Sequence, residues 1–410
     1  MRSIYSLAIK AFEKVLPLTG KMSDKMHDFV QGRKDVFKTL EAQIKPIDKV
    51  IWFHTASLGE YEQAVPVITE VKKKYPAHKI LVTFFSPSGY NNKIKNNLAD
   101  VVTYLPIDTP KNAARFLELV HPELVFFVKY EFWPNLLFSL KAKSIRTFLI
   151  SGVFRESQQF FKWYGGFMKE ALNSFEYFFL QDRSSLENLN SLGFENAVIS
   201  GDTRFDRVSR QLEMDNKVDF LEEFTAGKTT LVCGSTWPED EELLIEFLND
   251  CGAHDVKVII APHEIKEEKI KSLMAKLGDS VVRFSAKDGQ NLSLATFFIL
   301  DTVGFLGRAY HYADIAHVGG AAGTTGLHNI LEAATFGLPI ITGENIQKFP
   351  EAIRLRSLAG LYTVSSSAEA KEILTRLVDD RKFREQTGMI SGHFVASNTG
   401  ATRAILDYLA

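Results

Sequence analysis

Val50-Ile-Trp-Phe-His54-Thr-Ala-Ser57-Leu-Gly59-Glu60 is the stretch that decides the fold. A short apolar run is followed by a tight turn at Ser57-Leu-Gly59, and residues Glu60 to Lys74 read as a helix. A run that is apolar throughout, without polar alternation, is a strand covered on both faces, as in a parallel sheet flanked by helices. The same unit recurs outward from it. Lys79 to Thr83, Val101 to Leu105, Leu124 to Val128, Thr147 to Ile150 and Tyr177 to Leu180 are further strands, most of them separated by helical segments.

After a charged stretch near residues 206–228 the series restarts. Thr229 to Cys233, Val256 to Ile260, Val281 to Phe284, Phe297 to Leu300, Ile315 to Val318 and Pro339 to Thr342 form the second set. The expectation is an α/β protein of two Rossmann-like, doubly wound domains facing across a cleft, with ligands beyond the carboxyl ends of the strands. Its 410 residues exceed what one core usually supports. The domains are expected at 35–205 and 206–410, the last helix being a candidate to cross back to the first.

Composition narrows the function. Hydrophobic residues at 45% and charged residues at 24% fit an ordinary globular chain and exclude a disordered or fibrous one. A net charge of −2 gives no sign of a nucleic-acid binder. Two cysteines, Cys233 and Cys251, supply neither a disulfide framework nor a zinc site, which points to a reducing compartment. No uncharged apolar run approaches the ~20 residues of a spanning helix.

Residues 1–34 differ from the rest. Seven Lys/Arg (Arg2, Lys10, Lys14, Lys21, Lys25, Arg33, Lys34) face three acids (Glu13, Asp24, Asp28), a local charge of +4. Ile4, Leu7, Ala8, Ala11, Phe12 and Val15 fall on one helical face, with Ser3, Ser6, Lys10, Glu13 and Lys14 on the other. Such a helix can lie on an anionic membrane surface. The alternative is an ordinary helix packed on its own domain. A secretory signal is disfavoured, because charges interrupt the apolar run.

Three groups of residues could carry chemistry. Glu60 stands at a strand-to-helix turn, where partial desolvation would tune it as a general base, and Ser57 and Gly59 would let a polar substrate group approach. Ser57 and Glu60 also have the spacing of a capping box, an alternative that spacing alone leaves open. The second group is Gly319-Gly-Ala-Ala-Gly323-Thr-Thr-Gly326-Leu-His328-Asn329-Ile-Leu-Glu332, read as a glycine-rich loop entering a helix. Backbone N–H groups and the helix dipole there would favour a phosphate, and Glu332 could accept hydrogen bonds from a ribose. Third are polar loops after strands: Ser235 and Thr236, His263, and Thr302 with Gly304. No metal, covalent or Walker motif is present.

Taken in order, His54-Thr-Ala-Ser-Leu-Gly-Glu60, Glu131-Phe-Trp-Pro-Asn135, Gly201-Asp-Thr-Arg-Phe-Asp206, Asp301-Thr-Val-Gly-Phe305 and His328-Asn-Ile-Leu-Glu332 resemble the Kdo transferases. These are the 3-deoxy-D-manno-octulosonic acid transferases of lipopolysaccharide biosynthesis. The resemblance implies a GT-B glycosyltransferase moving Kdo, with inversion, from CMP-Kdo to the 6′-hydroxyl of a tetra-acyl lipid A precursor. It implies a peripheral protein on the cytoplasmic face of the bacterial inner membrane, with no cofactor beyond the donor substrate. Glu60 would be the base; Ser57, Gly59, Glu131, Arg155 and Arg204 would lie on the acceptor side of the cleft. Ser235, Thr236, His263, Thr302, Gly304, Gly323, Gly326, His328, Asn329 and Glu332 would hold CMP-Kdo.

Three positions depart from the family pattern. Leu327 precedes His328 where the family has a second glycine, Lys129 stands where an acid is common, and Ala261-Pro-His263 lacks an arginine. Two other classes remain compatible with the residues: a GT-B enzyme acting on another sugar nucleotide, by transfer or epimerisation, and a non-catalytic membrane-surface module.

Overall fold

The computed structural model describes residues 1–410 other than 21, 22, 88, 91–97 and 410, so Lys21 of the basic segment lies outside the described residues. The chain forms two compact units, Met1–Arg207 with Thr399–Ala410, and Val208–Asn398.

The first unit holds strands β1 (Lys49–Thr55), β2 (His78–Phe84), β3 (Val101–Tyr104), β4 (Pro122–Val128), β5 (Arg146–Gly152), β6 (Tyr177–Leu180) and β7 (Ala197–Ile199). They form one parallel sheet ordered β3-β2-β1-β4-β5-β6-β7, so the winding reverses between β1 and β4. Alternate residues of the apolar strands enter opposite cores, as the twofold period of a strand requires. Trp52, Val125, Phe127 and Leu149 fill one face; Ile51, Phe53, Phe126 and Phe148 fill the other. Phe53 stacks on Phe126 with centroids 4.6 Å apart, and Phe126 on Phe148 at 5.4 Å. Each such ring removed from water is worth ~2–3 kcal/mol, which explains why these strands tolerate no polar alternation.

The second unit holds β8 (Thr230–Thr236), β9 (Lys257–Pro262), β10 (Val281–Arg283), β11 (Phe297–Ile299), β12 (Ile315–Val318), β13 (Ile340–Gly343) and β14 (Leu361–Val364). The order is β10-β11-β9-β8-β12-β13-β14, with the reversal between β8 and β12. The α/β reading is therefore correct, and two strands are added to it. Both additions, β7 and β14, are sheet edges. An edge strand needs less apolar surface; Val198 and Ile199 of β7 are exposed, so no buried run marks it.

Two terminal segments pack on the first unit, the last helix crossing back to it as expected. The helix Ala401–Tyr408 packs on the first unit, with Ile405 and Leu409 in its core and Asp206 accepting from the backbone N–H groups of Gly400 and Thr402, both at 2.6 Å. The helix Arg2–Thr19 docks through Leu16 and Ile9, packed with Val30 and Ile107, and through polar contacts: Tyr5 reaches Asp108, Ser6 reaches Asn135, and Asn112 donates to Glu13. Its apolar face turns outward. Leu7 is 70% exposed and Leu18 74%, with Ile4, Phe12 and Val15 beside them. Packing of the apolar face on the helix's own domain is thus not what the chain does. Among the described residues no helix is long and apolar enough to cross a membrane.

Candidate functional site

In each unit the polar residues gather where the winding of the sheet reverses, the position at which an open α/β sheet leaves a crevice. In the first unit this is the carboxyl end of β1 and β4. The helix Leu58–Lys74 begins directly after β1, with Ser57 at its N-cap. Ser57 does not cap it: its hydroxyl donates to the Glu60 carboxylate instead, so the capping box is not formed. Glu60 is only 7% exposed. Gly59 is open to solvent, and a side chain there would meet nothing closer than Ser57 Oγ at 3.8 Å.

Glu131 arrives from the loop after β4, with its carboxylate 3.6 Å from His54 Nε2. His54 is fully buried, and its Nε2 accepts from the Trp133 indole N–H at 3.1 Å. That leaves the ring hydrogen on Nδ1, directed at Thr83 Oγ1 at 2.9 Å, where the Trp52 indole also donates. His54, next to last in β1, thus holds the segment that carries Glu131. Tyr130 completes this group. Its phenol is pushed up by burial, then by the Glu60 charge, with Arg155 opposing and Glu131 adding, so three charges act on one hydroxyl. Arg155 itself is exposed, and its N–H is bonded to Gln158.

Arg204 is engaged rather than free. Its Nε and N–H both bond Asp202, at 2.8 and 2.9 Å, and Asp202 also accepts from Gln63 of the helix Leu58–Lys74. Two left-handed non-glycine residues, Lys129 (φ 70) and Ser151 (φ 49), sit at the ends of β4 and β5. Lys129, where an acid was the family expectation, lies over the Tyr130 ring with Nζ 5.3 Å from the centroid.

In the second unit the strand β8 runs further than its apolar stretch, to Thr236, with a bulge at Ser235 (φ 54). A bulge at a strand end re-aims the side chain off the ladder. Trp237 follows and heads the helix Pro238–Asp250. The indole stacks on His263 (4.7 Å between centroids), His263 lies 4.4 Å from His328, and Trp237 Nε1 donates to His328 Nε2 at 3.1 Å. Burial, then the neighbouring His263, holds His328 below the usual histidine range. At neutral pH its single hydrogen is therefore on Nδ1, a donor. Lys269 Nζ stands 5.5 Å from the Trp237 ring, and a cavity of about 70 Å³ lies beneath, lined by Thr236, Trp237, Glu241 and Lys269 among others. Burial raises the Glu241 carboxyl to about 7, offset in part by the Thr236 hydroxyl 3.3 Å away.

The glycine-rich loop packs on this cluster. Fully buried Asp240 accepts from the N–H groups of Trp237 (2.9 Å) and Gly320 (2.8 Å), clamping the loop to the helix start. Gly320 has φ +97, and a Cβ there would meet Gly326 O at 2.1 Å, so only glycine fits. Gly323 O accepts from Asn345 Nδ2 at 2.8 Å.

The reading of a helix beginning at His328 is corrected. His328 N–H returns to Gly319 O, Asn329 Oδ1 accepts from Leu331 N–H, and the helix that follows, Leu331–Ala334, is a single turn. One turn carries little macrodipole, so phosphate stabilisation there cannot rest on a helix tip. Glu332 instead accepts from Asn329 Nδ2 at 3.2 Å. Thr302 and Gly304 follow β11, one strand beyond β9, where Asp301 turns to the hydroxyl and N–H of Ser285. Ser57 is thus bonded to Glu60, whose charge acts with those of Glu131 and Arg155 on Tyr130, while Thr236, His263 and His328 are joined by contact in the other unit. Cys233 and Cys251 are buried free thiols pushed up by burial, unsuited as nucleophiles. Among the described residues no group of three or more His, Cys, Asp or Glu could hold a metal ion.

Residues not anticipated from the pattern are Tyr130, Gln63, Lys269 and Asp240; Asp202 stands in the Gly201–Asp206 motif, which gave it no role. Only Asp240 left a local signal, three residues beyond Trp237 at the N3 position of a helix start.

Residues 30–207 match the family model described as 3-Deoxy-D-manno-octulosonic-acid transferase (kdotransferase). A 3-deoxy-D-manno-octulosonic acid transferase of Haemophilus influenzae is 29% identical over 378 residues, covering 89% of this chain and 87% of that protein. One of Aquifex aeolicus is 26% identical, covering 83% and 89%. Among solved structures, the UDP-GlcNAc 2-epimerase of Neisseria meningitidis bound to UDP-GlcNAc superposes with a TM-score of 0.62 at 14% identity, over 88% of this chain and 99% of that one. The two parallel sheets and these likenesses agree on a GT-B architecture: the chain is a glycosyltransferase that carries a Kdo transferase domain over residues 30–207 and is similar over most of its length to 3-deoxy-D-manno-octulosonic acid transferases.

Proposed function

We propose that the chain transfers Kdo from CMP-Kdo to the 6′-hydroxyl of a tetra-acyl lipid A precursor, with inversion, as a step of lipopolysaccharide biosynthesis. The observation that carries this reading is Glu60: a nearly buried carboxylate at the switch point of the first sheet, hydrogen-bonded to Ser57 and grouped with Tyr130, Glu131 and Arg155. Glu60 takes the proton of the acceptor hydroxyl as that oxygen bonds to the anomeric carbon of Kdo. The bond from that carbon to the phosphate oxygen breaks, and CMP leaves with the electron pair. The first unit takes the acceptor; the second takes CMP-Kdo, for which Trp237, His263 and His328 offer a stacking face and Nδ1 of His328 a neutral donor. Ser235, Thr236 and the loop from Gly319 to Gly326 stand close by for the phosphate.

Glu60→Gln keeps the shape and the Ser57 hydrogen bond but cannot accept the proton. Turnover should fall ~100-fold or more with the donor KM little changed. Product mass spectrometry with CMP-Kdo and tetra-acyl lipid A tests donor and acceptor together. Normal turnover in Glu60→Gln would remove the base; tighter binding of UDP than of CMP would remove the donor.

We further propose a peripheral location on the anionic cytoplasmic face of the inner membrane. The outward apolar face of the helix Arg2–Thr19 supports it, as do the exposed Lys10 and Lys14.

A further inference from the structure

The helix Pro134–Ala142 starts without a capping side chain of its own, because its N-cap residue is Trp133. Asp108, from the segment after β3, supplies the cap. Its Oδ1 accepts from Leu136 N–H at 2.9 Å and its Oδ2 from Asn135 N–H at 3.0 Å. The backbone carbonyl of Asp108 takes the Asn135 side-chain amide at 2.7 Å. Both residues are buried, Asp108 at 4% exposure. The remaining partners come from the first helix. Tyr5 O–H donates to Asp108 Oδ2 at 2.9 Å, and Ser6 O–H donates to Asn135 Oδ1 at 2.9 Å.

This knot lies immediately after the segment Glu131–Trp133. The start of the helix Pro134–Ala142 sets where Trp133 reaches His54, and with it where Glu131 stands beside that ring. A buried donor or acceptor that loses its partner is costly, so the knot has one arrangement in which every named group is satisfied.

We propose that Asp108 is a positioning residue for Glu131 and Trp133, and that Tyr5 and Ser6 make the first helix part of the same support. On the acceptor-site reading given above, the helix that faces the membrane and the segment that receives the sugar acceptor then move as one body. The helix is not a detachable anchor.

The test is the double variant Tyr5→Phe, Ser6→Ala in the full chain. Both residues lie on the docked side of the helix, so the outward apolar face is kept. Amide exchange at Asn135 and Leu136 should rise ~10-fold, the scale of one or two neutral hydrogen bonds. Turnover on detergent-dispersed acceptor should fall by a similar factor, with the KM for CMP-Kdo and partition onto anionic vesicles unchanged. Unaltered exchange overturns the knot, and faster exchange with full turnover overturns the positioning role. If the double variant does not fold, Tyr5→Phe alone is measured for the same pair of changes. A wild-type chain that moved no Kdo would overturn the acceptor reading instead; the exchange rates would still decide whether the first helix holds Asn135.

Discussion

Replacing Asp240 by alanine is the perturbation whose size follows most directly from the structure. The carboxylate is fully buried and accepts two short hydrogen bonds, from Trp237 N–H at 2.9 Å and Gly320 N–H at 2.8 Å, with Ala322 N–H at 3.4 Å as a weaker third. Charge-assisted bonds of this kind contribute ~1.5–3 kcal/mol each, and alanine leaves both donors buried without a partner. Allowing for the cost of burying the charge, Asp240→Ala should destabilise the second unit by ~3–4 kcal/mol. At ~2–4 °C per kcal/mol for a unit of this size, its melting transition should drop by ~6–15 °C. Both short bonds go to Oδ2, which Asp240→Asn can keep as its amide carbonyl, so it should lose roughly half as much, through the charge rather than the partners. Thermal melts followed by circular dichroism, with CMP titrated by calorimetry, measure both consequences. An untethered glycine loop should weaken CMP binding ~10-fold, about 1.4 kcal/mol. If Asp240→Ala melts within ~2 °C of the wild type, the carboxylate is not the clamp and the reasoning fails.

Asp108 predicts a pH dependence of stability. Burial raises its carboxyl from 3.8 to about 6, against the opposing hydrogen bonds. Between those values the folded chain holds a proton that the unfolded chain has released, so this group's contribution to stability falls as pH rises from about 4 to 6. The change should approach ~3 kcal/mol, and Asp108→Asn should abolish it in a difference plot of urea midpoints against pH; an unchanged slope would show that another group titrates. Trp163 is 95% exposed in the loop before Phe167, whose ring contacts Tyr5 of the first helix. Its fluorescence should shift to shorter wavelength when the chain meets anionic vesicles, and Trp163→Phe should lose that shift; vesicle binding without it would place this loop away from the lipid.

The interior of the two sheets was legible because its strands are buried on both faces: runs such as Val50 to Phe53 and Leu124 to Val128 admit no other reading. Edge strands β7 and β14 were not, since a half-exposed three- or four-residue strand carries no such run. Of the candidate site, what lies within one βα turn could be read, as Glu60 shows. What depends on distant pairing could not. Tyr130 gains its meaning from Glu60 and Arg155, Asp202 from Gln63, and Asp240 from a loop about eighty residues later. The helix expected at His328 failed for the same reason. Local propensity favoured it, yet the N–H of His328 is taken by Gly319. Aromatic residues of the first unit divide likewise: Phe154 and Phe160 are core, whereas Trp163 and Tyr164 lie at the surface, and sequence alone does not sort them.

The helix Ala401–Tyr408 completes the core of the first unit, and this sets an order on synthesis. As the chain leaves the ribosome, residues up to 207 emerge with Ile51, Val67 and their neighbours still lacking Ile405 and Leu409, and with no backbone N–H yet delivered to Asp206. The second unit, contiguous from 208 to 398, can close while the first waits. Expressing residues 1–207 alone should therefore give a fragment with an uncovered apolar groove, and supplying 399–409 as a separate peptide should restore its solubility.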